Sequence, residues 1–217
     1  MKYEAVLFDL DGTLLDTLQD LADSMNSVLS RRGFPVHDIE KYRYFVGDGM
    51  YNLVLRTLPP NNREEEIIKQ CLKELKDEYG RRWANTTRPY EGICELLDKL
   101  SDMGLKKAVL SNKPHDFTRL IIDKLLPDWS FDAVVGQREG VPKKPDPTAA
   151  LAIADALKIP PEKFLYLGDT NTDMKTANAA GMYAVGALWG FREAEELVES
   201  GAKVLIKHPK ELLNILS

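Results

Sequence analysis

The chain has 217 residues, 44% of them hydrophobic and 29% charged, which is room for one generous domain or for a core with a smaller insert. Its formal net charge of −5 argues against a nucleic-acid ligand, which calls for a clustered basic surface. No apolar run approaches the roughly 18 residues of a membrane span, and the opening "MKYEAVLFDL" meets Asp9 too early for a secretory signal, so a cytoplasmic protein is expected.

The first predicted strand, Ala5–Phe8, runs straight into "DLDGT", residues 9–13. An ionised carboxylate is costly to bury unless it is paired or metal-bound, and a second one two residues on adds like-charge repulsion. A bound cation and a shared proton each answer that cost for Asp9 and Asp11. Residues 16–85 then lose the strand rhythm. Leu18, Leu21, Ala22, Met25, Val28 and Leu29 form one helical stripe, and Ile67, Ile68, Cys71, Leu72, Leu75 and Tyr79 form another, so the stretch reads as a helical insert. Asp16 reads as a helix cap at its start. In "KYRYFVGDGM", residues 41–50, Lys41 and Arg43 stand near a glycine-flanked turn. Arginine there suits bidentate contact with a substrate carboxylate; solvated charges on a helix face are the plainer reading. Cys71 and Cys94 lie among apolar neighbours and read as small buried hydrophobes.

From residue 90 onward strands and helices alternate. Ile93, Leu96, Leu97 and Leu100 fall at helical spacing, and a strand at Lys107–Leu110 leads into "SNKP", residues 111–114. His115, just beyond, reads as exposed in a helix's first turn. After a strand at Ala133–Val135, "KKPDP" (residues 143–147) opens a helix that Asp146 caps, with Pro147 in its first turn. A strand at Phe164–Leu167 ends in "GDTNTD", residues 168–173, and strands at Tyr183–Ala187 and Val204–Ile206 follow, with the aromatics of "WGF" (residues 189–191) read as packing. Unbroken apolar runs suit parallel strands buried on both faces, and the alternation implies right-handed βαβ units. The expected architecture is α/β: a doubly wound, mostly parallel sheet (residues 1–15 with 86–217) and an inserted all-helical cap domain (residues 16–85).

Ligands of such sheets bind outside the carboxyl ends of the strands. Reading there collects Asp9, Asp11, Ser111, Asn112, Lys144, Asp169 and Asp173 on one edge. Acidic groups beside a lysine suit a hard cation such as Mg²⁺, commonly shared between carboxylates and a substrate phosphate. The hydroxyl and N–H groups of Ser111 and Asn112 suit phosphate oxygens. A lysine, Lys144 or its neighbour Lys143, would offset charge developing in phosphoryl transfer. Aspartate can be the nucleophile, through an aspartyl-phosphate, and Asp11 is then the acid/base partner.

Taken together these motifs resemble the haloacid dehalogenase (HAD) superfamily of phosphatases, its phosphoglycolate phosphatase branch above all. Asp9, Asp11 and Thr13 match its Asp-x-Asp-x-Thr motif and Ser111 its Ser/Thr motif. Lys144, Pro145 and Pro147 match Lys-Pro-x-Pro, and Gly168, Asp169 and Asp173 match Gly-Asp-x-x-x-Asp. The resemblance implies that Asp9 attacks phosphorus while Asp11 protonates the leaving alkoxide and then activates water. It implies Mg²⁺ held by Asp9, the Asp11 carbonyl and Asp169, with Asp173 supporting the metal or orienting the lysine. Thr13, Ser111, Asn112 and Lys144 would bind the phosphoryl group, and Arg43 of the cap the rest of the substrate. An acid at position 11 does not suit the family's dehalogenases, whose halide leaves without a proton, or its phosphonate-cleaving members. The leading expectation is a monomeric or homodimeric phosphatase of a small phosphorylated metabolite, 2-phosphoglycolate first, with no nucleic-acid or membrane partner. A pyrophosphatase, a nucleotide or sugar-phosphate phosphatase, a phosphoglucomutase-like enzyme and a catalytically silent binding module are the alternatives.

Overall fold

Segments with no polar face must be covered on both sides, and the apolar runs of this chain become six parallel strands of one sheet. In chain order these are β1 (Ala5–Phe8), β2 (Lys106–Pro114), β3 (Ala133–Gln137), β4 (Phe164–Gly168), β5 (Tyr183–Ala187) and β6 (Val204–Ile206). The spatial order is β3-β2-β1-β4-β5-β6 in the computed structural model, which describes residues 2–216. Central β1 is fully buried, and its Phe8 stands opposite Val109 of β2 and Leu167 of β4. β2 runs four residues past its expected end. Its register shifts between Leu110 and Pro114, and Ser111, Asn112 and Lys113 are buried there on polar partners rather than in apolar contact.

The chain divides into two compact units, Met1–Leu15 with Pro89–Ser217 and Asp16–Arg88. The second is built mainly of helices, α1 (Leu18–Arg31), α2 (Ile39–Phe45), α3 (Met50–Thr57) and α4 (Glu65–Arg82), with Asp16 and Arg88 at its ends in two short paired strands. The α1 stripe is buried from Leu18 to Leu29, and α4 packs on it through Ile68, Cys71, Leu75 and Tyr79. Gly47 and Gly49, at φ of 116° and 87°, make the turn between α2 and α3 that side-chain-bearing residues rarely adopt. Arg56 closes the turn by pairing with Asp48 and donating to the Tyr44 and Phe45 carbonyls. Burial alone would raise the Glu78 carboxyl, but hydrogen bonds from Arg81, Arg31 and Arg82 hold it at about 2. Asp20 ties the first turn of α1 to the end of the unit. It accepts from the N–H groups of Thr86 (3.0 and 3.1 Å) and Thr87 (2.9 Å) and from their hydroxyls at 2.7 and 2.8 Å.

In the first unit α5 (Ile93–Asp102) buries Ile93, Leu96, Leu97 and Leu100. It is followed by α6 (His115–Leu125), α7 (Thr148–Leu157), α8 (Asn171–Ala179), α9 (Ala194–Glu199) and α10 (Leu212–Leu216). The helix expected at Pro147 begins at Thr148, whose N–H donates to the Asp146 carboxylate at 2.9 Å. Among the described residues no helix is long and apolar enough to cross a membrane. Because β2 and β4 flank β1, strand order reverses there, and a doubly wound sheet opens its crevice at that point.

Candidate active site

Asp9 is the first residue beyond β1, and its N–H extends the ladder to the Leu167 carbonyl at 2.9 Å, so the sheet itself sets where the side chain starts. One carboxylate oxygen accepts from the Leu10 N–H at 2.7 Å and lies 2.8 Å from Lys144 Nζ. The same ammonium meets Asp173 at 2.7 Å and the Leu110 carbonyl at 3.1 Å. Lys144 comes from the loop before α7, where the Asn112 side chain accepts from its N–H (2.9 Å) and donates to its carbonyl (3.1 Å). Lys144 is buried on the carboxylates of Asp9 and Asp173, whereas its neighbour Lys143 is exposed. Asn112, expected on the phosphate, here holds the lysine's backbone.

Asp169 follows β4 and is completely buried. Thr13 donates its hydroxyl to one oxygen (2.7 Å), and the Phe191 N–H donates to the other (2.8 Å). The loop beyond β5 therefore serves more than packing: the Trp189 indole N–H also donates to the Thr13 carbonyl at 2.9 Å. Thr13, expected on the substrate, is itself buried and turned onto Asp169. Two glycines leave that carboxylate room. A Cβ on Gly12 would lie 2.2 Å from an Asp169 oxygen, and one on Gly190 would lie 2.2 Å from its Cβ.

Asp173 sits in the first turn of α8 in a capping box with Thr170. One of its oxygens accepts from Lys144 and from the Tyr166 hydroxyl (3.3 Å). The other accepts from the Thr170 N–H (3.0 Å) and hydroxyl (2.6 Å). A carboxylate offers about four lone-pair sites, so those of Asp173, expected among the metal ligands, are taken up by the protein. Each Asp169 oxygen accepts one of the bonds named above and keeps capacity for another.

Oxygens of Asp9, Asp169 and Asp173 lie within 4.8 Å of one another. Burial, then repulsion from Asp173, pushes the Asp9 carboxyl well above the usual range, against the pull of Lys144. Burial and Asp173 likewise push Asp169 to about 7, although Thr13, the Phe191 N–H and Arg192 hold it down. Burial would strip Lys144 of its proton, but Asp173 and Asp9 outweigh it and keep the ammonium charged. Two of the three buried carboxylates, Asp9 and Asp173, thus share one buried lysine, and Asp169 has none among the described residues. Oxygen donors, an excess of negative charge and the unused lone pairs of Asp169 fit a hard divalent cation.

Asp11 projects from the turn after β1, where Gly12 takes a φ of 86°. Its oxygens lie 2.8 and 3.0 Å from Lys113 Nζ. Lys113 carries no motif signal beyond following the second strand's apolar run, and its importance emerges only with the extension of β2. Ser111 is buried at the same strand end and accepts from the Lys113 N–H at 3.2 Å. His115 is half-buried, accepting from the Gly136 N–H at 3.2 Å, rather than exposed. Arg43 is half-buried on α2 of the helical unit, and Asp16 accepts from the Leu18 N–H at 3.4 Å at the start of α1.

Against known proteins, the family described as haloacid dehalogenase-like hydrolase matches residues 6–187. A phosphoglycolate phosphatase of Pseudomonas syringae pv. tomato is 31% identical over 212 residues, 96% of this chain and 78% of that protein. An N-acetylmuramic acid 6-phosphate phosphatase of Pseudomonas aeruginosa is 32% identical over 219 residues, spanning 100% of this chain and 96% of that one. Among solved structures, a predicted phosphoglycolate phosphatase from Haemophilus somnus 129PT matches with a TM-score of 0.91 at 26% identity, covering 100% of this chain and 99% of that chain.

Proposed function

Since the chain belongs to the haloacid dehalogenase-like hydrolases and is a phosphatase of that family, we propose that it hydrolyses a small phosphate monoester, 2-phosphoglycolate first among candidates, through a phosphoryl group carried on Asp9. The observation that carries this reading is the meeting of Asp9, Asp169, Asp173 and Lys144 at the carboxyl edge of β1 and β4, with Asp11 beside them.

Asp9, the backbone carbonyl of Asp11 and Asp169 would hold Mg²⁺, which supplies positive charge that keeps the buried carboxylates ionised and offsets charge on the phosphoryl oxygens. Asp173, saturated by its own partners, holds Lys144 in place instead. Asp9 attacks phosphorus, and the ester oxygen leaves with a proton from Asp11. Asp11 then takes a proton from the water that attacks the aspartyl-phosphate, releasing phosphate and restoring Asp9. Lys144 and the hydroxyl and N–H groups at Ser111 bind the phosphoryl oxygens throughout.

Both curated relatives named above are phosphatases of an acid's phosphate ester by name, which supports a cation reserved for a second anionic group. Arg43 is assigned that task. The full-length match to the N-acetylmuramic acid 6-phosphate phosphatase keeps a sugar phosphate as the second reading. The test is phosphate release with Mg²⁺ and with EDTA across 2-phosphoglycolate, pyrophosphate, nucleoside monophosphates, hexose phosphates, N-acetylmuramic acid 6-phosphate and p-nitrophenyl phosphate. A kcat/KM for 2-phosphoglycolate about 100-fold above the rest establishes the narrow reading. A comparable lead for a sugar phosphate replaces it, and no Mg²⁺-dependent release from any ester overturns both. Arg43→Ala should raise KM for the favoured acid about 10-fold or more while leaving p-nitrophenyl phosphate unaffected.

A further inference from the structure

A lysine that is almost wholly buried needs a reason, because removing an ammonium from water is costly unless it is paired. The Lys113 side chain is 2% exposed, and its ammonium meets both oxygens of Asp11. Its backbone is held on every side. Its N–H donates to the Ser111 hydroxyl, and its carbonyl accepts from the Thr118 hydroxyl at 3.2 Å. Gly136 of neighbouring β3 passes so close that a Cβ there would lie 2.7 Å from the Lys113 carbonyl oxygen. Asp11, by contrast, stands in a turn and is the more exposed partner, at 13%. The rigid member of the pair is the lysine, and a two-point grip fixes both side-chain torsions of the aspartate.

We propose that Lys113 is the positioning residue for Asp11, setting where its carboxyl group stands when it exchanges a proton with the leaving oxygen and with water. The inference rests on the reading of Asp11 as acid and base. In the first step the bond from Asp9 oxygen to phosphorus forms, the ester P–O bond breaks, and the leaving oxygen takes the Asp11 proton. In the second, water oxygen bonds to phosphorus, the bond to Asp9 breaks, and Asp11 regains a proton from that water. Lys113 transfers nothing, and an Asp11 oxygen accepts its hydrogen bond in both forms.

The test compares leaving groups. An alkoxide must be protonated as it departs, whereas p-nitrophenolate leaves unaided. For an enzyme with a covalent intermediate, kcat/KM reports only the steps through loss of the leaving group. Lys113→Met should therefore lower kcat/KM about 100-fold for 2-phosphoglycolate, or for a hexose 6-phosphate if that is the better alkyl ester. For p-nitrophenyl phosphate the loss should stay within about 3-fold. Lys113→Arg, which restores charge with displaced donors, should recover about 10-fold of the loss. The double variant with Asp11→Asn should be no worse than Asp11→Asn alone. Equal losses on both esters, or additive losses in the double variant, overturn the proposal while leaving the role of Asp11 intact. If Asp11→Asn itself shows no split between esters, the reading of Asp11 fails and the proposal with it. Should Lys113→Met not fold, the split is read from Lys113→Arg, where equal losses overturn the proposal in the same way.

Discussion

At the scale of single residues, the site is an electrostatic problem in which position matters more than residue type. Asp9, Asp169 and Asp173 are chemically identical, yet one extends a strand end onto the lysine, one keeps spare lone pairs, and one is filled by the lysine, Tyr166 and its own helix cap. The raised carboxyls of Asp9 and Asp169 carry a consequence for stability in the absence of metal. A carboxyl whose folded pKa is raised, here from 3.8 to about 7 for Asp169, binds its proton more tightly when folded. Its contribution is then fully present below about 4 and is lost as pH rises toward 7. The Tm of EDTA-treated protein should therefore fall between pH 4.5 and 8 through these groups, and added Mg²⁺ should restore more of it at pH 8 than at pH 5.5. Thermal scans across that range, with and without Mg²⁺, check it. A Mg²⁺ increment independent of pH would separate the acidic cluster from metal binding.

At the scale of elements, the turn after β1 and the loop after β5 act as the walls of the Asp169 carboxylate. Gly12 has two reasons to be glycine, a φ of 86° and a missing Cβ that would collide with Asp169. Gly104 has only the first, since its φ is 71° and nothing lies within 4 Å of the added atom. The left-handed backbone alone costs a side-chain-bearing residue about 1–2 kcal/mol. Gly104→Ala should then lose about that much stability in urea unfolding and keep its Mg²⁺ affinity. Gly12→Ala should lose a further 1–3 kcal/mol or so from overpacking and bind Mg²⁺ at least 10-fold more weakly by calorimetric titration. The strands themselves were legible in their apolar runs, as in Tyr183–Ala187, whose bounds agree. The extension of β2 was not, because its last residues are polar and are buried by specific partners, which leave no periodic trace.

At the scale of the whole molecule, two compact units predict two cooperative regions of opening. Asp20 is the residue that closes the helical one, and hydrogen bonds from Thr86 and Thr87 hold its carboxyl below the usual range against the upward push of burial. Asp20→Ala leaves four donors without their acceptor, a loss of roughly 2–4 kcal/mol. Hydrogen exchange should show faster opening across residues 16–88 and little change in β1, β2 and β4; uniform acceleration would mean the units unfold together. Asp20 gave no warning beforehand, since an aspartate early in a helix is an ordinary residue there, and its partners lie more than sixty positions away. The same separation divides the two kinds of knowledge about the site. The order of the motifs, the strand after which each falls and the chemistry of their side chains are local properties, so apolar run lengths and a few acidic residues were enough to determine an α/β sheet with acidic residues gathered on one edge. Which lysine faces the carboxylates, that Thr13 serves Asp169, that Asp173 has no lone pair left over and that Lys113 grips Asp11 were decided only by tertiary structure. Each depends on which strand ends lie side by side, and that proximity is set by packing of the whole sheet rather than by any stretch of the chain.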